Sequence, residues 1–327
     1  MTVKVAFIGA GGIANAHLNA LKTVKDAKIV GLCDVNETTL QNRQKEFGGD
    51  IFSDPEKMLQ AVKPDTAYIC LPPFAHGAAE EACLKHKIPF LVEKPITKDL
   101  ELAKKLASEI KKNKIMAAAA YMTRFRKGVA RAKELLAKDP PAIIFGGWVC
   151  GFPGSHPWLF DKELSGGQLM EQTTHTIDLM RYLCGDVKSV HCYRASNDPV
   201  KEVANFKADC ASTTAIKLAS GAVASIMSAW VCKAKSEVFL TLVSPNYRIE
   251  FSGWENSVRI FQEKGSYIEE IKGEGNIFEI EDAAWIKSVK SGKLNPIFAD
   301  YEDAVKTLAV SAAANESMET GMPVRLS

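Results

Sequence analysis

The sequence predicts an α/β chain of two domains, an N-terminal doubly wound parallel sheet and a C-terminal α+β domain with a large, mostly antiparallel open sheet. Three observations carry this. Over the first third, short apolar runs alternate with helix-length amphipathic segments, the grammar of a parallel sheet. A glycine-rich turn follows the first run directly and opens a helix. Past Arg124 the runs lengthen and are separated by hairpin-length gaps, as in antiparallel strands.

Taken in order, Val3 to Ile8, Lys28 to Cys33, Ala67 to Leu71, Pro89 to Val92 and Ile115 to Tyr121 read as the strands of the first domain, residues 1–123. The stretches between them read as helices. Asp54 caps a helix whose first residue is Pro55, Gly48-Gly49 follows one ending at Phe47, and Asp99 caps the one carrying Leu102, Leu106 and Ile110. The second domain, residues 124–327, opens with a helix from Lys127 to Leu136 and a break at Asp139-Pro140-Pro141. Ala208 to Leu218 and Ala222 to Val231 flank Ser220-Gly221, and Glu237 to Val243, Tyr247 to Phe251, Val258 to Gln262 and Tyr267 to Ile271 continue the strand pattern. One helix from Gln168 to Cys184 lies inside this half, and two more, around Phe278 to Lys290 and Tyr301 to Met318, close it.

With 46% hydrophobic and 24% charged residues in 327, the chain buries a large core, and disorder, collagen and coiled coil are excluded. Its 41 basic and 39 acidic side chains leave a net charge of +2, so no global field holds it on nucleic acid or an anionic membrane. The first residues run straight into a strand and no apolar run spans a bilayer, which makes the cytoplasm the expected location. The eight cysteines lack close Cys-x-x-Cys pairing and sit among apolar residues, as buried reduced thiols do. No group of His, Cys, Asp and Glu has metal-ligand spacing, so no metal is expected.

Gly9-Ala10-Gly11-Gly12-Ile13-Ala14 is the Gly-x-Gly-x-x-Ala form of the dinucleotide fingerprint of a Rossmann domain, in its proper place between strand and helix. Gly9 permits the tight turn, Gly11 lets backbone approach a pyrophosphate, and Gly12 and Ile13 bring the N–H groups of the helix start to the anion. Asp34, 25 residues beyond Gly9, stands where a carboxylate accepts from the adenosine ribose and repels a 2′-phosphate. Val35-Asn36 supplies no cation to hold one, so NAD is the expected cofactor; Asp34 also reads as an N-cap for the helix starting near Glu37.

At the carboxyl ends of later strands stand Leu71-Pro72-Pro73-Phe74-Ala75-His76 and Glu93-Lys94-Pro95, where an open α/β sheet binds its ligand. There Lys94 can stabilise charge on a substrate oxygen, or simply pair in a surface turn. In the second domain, Glu171, His175 and Asp178 share a helical face at i, i+4 and i+7, so a carboxylate can orient a proton-accepting histidine; packing in the core is the alternative. Trp158, in the Pro- and Gly-rich loop Phe152 to Trp158, can stack on a sugar face or serve the loop alone. His17, His86 and His191 read as ordinary surface or half-buried residues.

Together these marks resemble the glucose-fructose oxidoreductase, inositol dehydrogenase and rhizopine catabolism family, Gfo/Idh/MocA, over nearly the whole chain. They are the glycine turn, Pro72 to His76, Glu93-Lys94-Pro95, Tyr121 to Phe125 with Arg124, and Gly166-Gly167 to Asp178 continuing into Arg181-Tyr182-Leu183. Pro73 stands where the family often has asparagine, and Glu171 where it often has aspartate. The resemblance implies an NAD-dependent oxidoreductase acting on one hydroxyl of a sugar, cyclitol or related polyol, with His175 as acid/base beside Lys94 and Glu171. Leu71, Pro72, His76, Glu93 and Lys94 itself join the cofactor site, and Tyr121 and Arg124 join Trp158, Glu171 and His175 around the substrate. Two other functions fit the same scaffold: an NAD-retaining glycoside hydrolase working by transient oxidation and elimination, and a silent dinucleotide sensor. Lys94 and His175 belong to different predicted domains, so the reading places the chemistry in a cleft. A sheet face with Val223, Ile226 and Ala229 is expected to be buried in a homodimer or homotetramer.

Overall fold

The computed structural model of the chain describes residues 2–151, 156–196 and 206–326. Its strands are β1 Val3–Ile8, β2 Ala27–Cys33, β3 Asp50–Phe52, β4 Thr66–Ile69, β5 Phe90–Val92, β6 Ala117–Ala119, β7 Ile143–Val149, β8 Val187–Arg194, β9 Ala211–Leu218, β10 Val223–Ala229, β11 Glu237–Val243, β12 Tyr247–Ser252, β13 Ser257–Gln262, β14 Ser266–Ile271, β15 Ala299–Asp300 and β16 Val324–Arg325. The α-helices are α1 Gly12–Leu21, α2 Glu37–Phe47, α3 Pro55–Val62, α4 Ala78–Lys85, α5 Leu100–Asn113, α6 Lys127–Leu136, α7 Lys162–Ser165, α8 Gly167–Glu171, α9 Thr174–Cys184, α10 Ile277–Ser291 and α11 Tyr301–Thr320.

Two compact units result. The first joins Met1–Met122 to Asn276–Val305 and the second joins Thr123–Gly275 to Lys306–Ser327. A single boundary at 123/124 therefore does not describe the chain, because α10 returns to pack on α1 and β1. Trp285 on α10 is fully buried there and donates its indole N–H to Thr66 Oγ1 at 3.0 Å.

The sheet of the first unit runs β15-β6-β5-β4-β1-β2-β3, parallel throughout except for β15. Its central strands are apolar along almost their whole length because helices cover both faces. Asn36, Asp54 and Asp99 cap α2, α3 and α5 with side-chain oxygens. α1 has no side-chain cap.

The second sheet runs β14-β13-β12-β11-β7-β10-β9-β8-β16 and is antiparallel apart from the β7/β10 pair. Burial alternates along β9 and β10, so one face lies under helices and the other does not. That alternation corrects the expected outer face. Ile226 is fully buried on the inner side, while Val223, Ser225, Met227 and Ala229 share the outer one, with Val223 in register with exposed Ile143. All eight cysteines are free, and burial pushes the thiols of Cys33 and Cys184 up to about 12. Among the described residues no helix is long and apolar enough to cross a membrane.

Candidate active site

In the first unit, β1 delivers the chain into Gly9 at a φ of +91°, a conformation glycine adopts without strain. A Cβ there would lie 2.2 Å from the Cys70 carbonyl oxygen, so the close approach of β1 to the end of β4 also demands glycine. Gly11 and Gly12 meet nothing within 4 Å of a built Cβ. With no side-chain cap and no acidic residue in the first turn of α1, the helix start offers its N–H groups to an anion. These residues fit a bound dinucleotide.

Asp34 closes the turn from the other side. Its Oδ2 accepts the Ala10 main-chain N–H at 2.7 Å and its Oδ1 that of Asn36 at 2.8 Å. It is therefore not the cap of α2, a role taken by Asn36 through the Thr39 N–H. The Arg43 Nε donates to the Ala10 carbonyl at 3.3 Å, which brings to this turn a cation that the local sequence did not announce.

The Leu71–His76 turn is braced from within. His76 Nδ1 lies 2.7 Å from Glu80 Oε1 and its Nε2 3.1 Å from the Leu71 carbonyl, while the Gly77 N–H donates to Glu80 Oε2 at 2.6 Å. With both ring nitrogens engaged, His76 orders the turn. Past β5, buried Glu93 accepts the Lys94 main-chain N–H on Oε2 at 3.0 Å.

His17, expected at or near the surface, is instead fully buried between Glu93 Oε1 (3.0 Å) and Asp282 Oδ1 (2.8 Å). Burial by itself works against its cation, but Asp282 and Glu93 outweigh that and hold its pKa well above 6.5. Burial raises the Glu281 carboxyl well above the usual range. Ligand-type atoms of His17, Glu281 and Asp282 lie within 4.8 Å of one another, a grouping hidden from the linear spacing because α10 is more than two hundred residues away in sequence.

In the second unit the expected helix 168–184 is broken. α8 ends at Glu171, and α9 starts only at Thr174, because the Thr173 N–H turns back to the Gln168 carbonyl at 3.0 Å. Side chains hold the break: the Trp230 indole donates to Gln172 Oε1 at 2.8 Å, and the Ser228 and Thr173 hydroxyls meet at 2.6 Å. Glu171 and His175 consequently do not share a continuous helical face. Asp178 is fully buried and receives Arg124 through Nε at 2.7 Å and Nη2 at 2.6 Å, with the Thr307 hydroxyl at 3.1 Å. Arg124 also stacks over the Tyr182 ring at 4.7 Å. Its guanidinium is thus built into the scaffold.

His175, buried, lines a pocket with Thr123, Trp148, Thr176, Trp254 and Asn256. The rings of Trp148 and Trp254 lie 6.1 and 6.3 Å from its own, and 5.5 Å from each other. Trp158, like Trp148, packs against the Cys150, Leu159 and Trp230 cluster, and residues 152–155 of its loop lie outside the described residues. Tyr121 is buried at the end of the first unit.

A family model described as an oxidoreductase family with an NAD-binding Rossmann fold matches residues 3–121, and one described as the GFO/IDH/MocA C-terminal domain matches 144–268. The chain is 28% identical to the scyllo-inositol 2-dehydrogenase (NAD(+)) of Bacillus subtilis over 99% of its own length and 96% of the relative's. It is 24% identical to the myo-inositol 2-dehydrogenase of Thermotoga maritima over 99% and 98%. Levoglucosan dehydrogenase, solved with NADH and levoglucosan, has the same fold at a TM-score of 0.89 and 18% identity, covering 99% of each chain.

Proposed function

Since the chain belongs to the Gfo/Idh/MocA family of oxidoreductases, with its NAD-binding Rossmann domain, we propose that it moves a hydride between NAD and a hydroxyl-bearing carbon of a sugar, cyclitol or related polyol. The observation that carries the reading is His175, buried beside two indoles and between hydroxyl and amide side chains. Indole faces cover the C–H faces of a polyol ring, and Thr123, Thr176 and Asn256 are of the type that reads its hydroxyls. The inositol dehydrogenases among the relatives support the same substrate class.

When bound, NAD supplies the hydride acceptor. A nitrogen of the His175 imidazole takes the proton of the reacting hydroxyl, and the Lys94 ammonium stabilises the charge that develops on that oxygen. Arg124 acts through Asp178 to fix α9 and hence His175, while Glu171, at the end of α8, binds a substrate hydroxyl. Tyr121 and Trp158 are assigned to the substrate with Glu171 and His175. Gly9, Gly11, Gly12, Ile13 and Asp34 hold the pyrophosphate and ribose, backed by Leu71, Pro72, His76 and Glu93. The outer face of the second sheet, around Ile143 and Val223, joins subunits in a homodimer or homotetramer.

The test is a panel of inositols, sugars and glycosides incubated with NAD, following NADH absorbance and, separately, sugar released. Rising NADH with a polyol is the expected result. Glycoside cleavage without NADH accumulation would replace net oxidation by redox-assisted hydrolysis, and cofactor binding with neither signal would leave a sensor.

A further inference from the structure

The first unit contains a buried charged chain that the proposed chemistry does not itself use. His17 on α1 and Asp282 on α10 are fully buried, and Glu93 nearly so. Neutral imidazole has one N–H, yet both nitrogens of His17 face carboxylate oxygens, at 2.8 and 3.0 Å, and an ionised carboxylate only accepts. With its pKa held well above 6.5 by these carboxylates, His17 as an imidazolium donates to both. The second oxygen of Glu93 accepts the main-chain N–H of Lys94. An unbroken line of hydrogen bonds thus runs from α10 through His17 to the residue whose ammonium the proposed reaction requires.

Rings close the sides of this line. Tyr68 meets His17 edge-on at 5.3 Å and Phe278 at 5.2 Å. Burying an imidazolium and its carboxylates contributes little net stability compared with apolar packing, but hydrogen bonds at both ring nitrogens hold His17 and the two carboxylates in one geometry. The two oxygens of Glu93 are thereby divided between His17 and the Lys94 main chain. A metal ion is the other occupant the residue types allow, since Glu281 lies beside the pair and neither of its oxygens meets a hydrogen-bond donor among the described residues. With both His17 nitrogens donating, however, the ring has no lone pair to give a metal, and burial favours the neutral form of the Glu281 carboxyl.

We propose that His17 is a positioning residue: clamped by Asp282, it fixes the Glu93 carboxylate, and through it the main chain and ammonium of Lys94. This rests on the role given to Lys94 above. The test uses the full chain as His17→Gln and Asp282→Asn, each alone and combined with Lys94→Ala. Four properties are measured: kcat and KM on the fastest substrate of the panel, NADH affinity by fluorescence, thermal midpoint, and acetylation of Lys94 relative to the other lysines by mass spectrometry. Misplacing a reacting group by about 1 Å costs up to about 10²-fold, so His17→Gln is expected to lower kcat by that order, and by more than it lowers NADH affinity. On the Lys94→Ala background it should cost nothing further, and in the single variant Lys94 acetylation should change severalfold. Asp282→Asn repeats the test if His17→Gln fails to fold. Additive losses, unchanged kcat and labelling in a folded variant, or one metal ion per chain lost on Glu281→Gln would each overturn the proposal. If Lys94→Ala alone leaves turnover intact, the functional reading fails, while the labelling still judges the network.

Discussion

Asp34 does two jobs with one carboxylate, and this makes its substitution informative. It accepts the Ala10 N–H, which shapes the glycine turn, and in the proposed cofactor site it faces the adenosine ribose, where a carboxylate disfavours a 2′-phosphate. NADH should therefore bind more tightly than NADPH, and Asp34→Ala should narrow the gap by weakening NADH more than NADPH, with Arg43 left as the nearest cation to the turn. Fluorescence titration with both cofactors checks this, and equal affinities in the wild type would remove Asp34 from the account. At this scale the sequence was most legible where a residue type has one use, as with Gly9. It was least legible where the partner is distant: nothing near His17 announces Asp282, and nothing near His175 announces Trp148 or Trp254.

Elements followed the sequence closely where their own chemistry set the limits. β1, β11 and α6 run as their patterns predict, because buried strands need uninterrupted apolar residues and the Asp139-Pro140-Pro141 break follows α6. β3, β15 and β16 have two or three residues each, too few for any period to register. The break between α8 and α9 is tertiary, set by Trp230 and Ser228 from another part of the unit, and no local breaker marks it. Two substitutions test this scale. Asp99→Ala removes the oxygen that accepts the Glu101 and Leu102 N–H groups and should cost roughly 1 kcal/mol by chemical denaturation, with cofactor binding unchanged. Gly9→Ala adds a Cβ against the Cys70 carbonyl in a left-handed conformation, and should cost upwards of about 1–3 kcal/mol and abolish NADH binding.

For the whole molecule, the buried cluster of the first unit sets a pH dependence whose sign is fixed. His17, Glu281 and Asp282, faced by Glu93, Tyr68 and Cys70, all have raised folded-state pKa values. A raised value means the folded state holds its proton longer, so that stability is fully present below the unfolded pKa and is lost as pH rises through the folded one. For His17 the loss begins above 6.5, and the thermal midpoint should fall more steeply with rising pH in the wild type than in His17→Gln. Assembly is testable at the same scale: light scattering at micromolar concentration should give a dimer or tetramer, and Val223→Lys should weaken it by placing a charge on the outer face. In the proposed reaction the proton acceptor is His175. At saturating NAD on the true substrate, stopped-flow measurement of hydride transfer by His175→Ala should show a rate ~10²- to 10⁴-fold below wild type with cofactor affinity nearly unchanged, and retention of most of the wild-type rate would contradict the account.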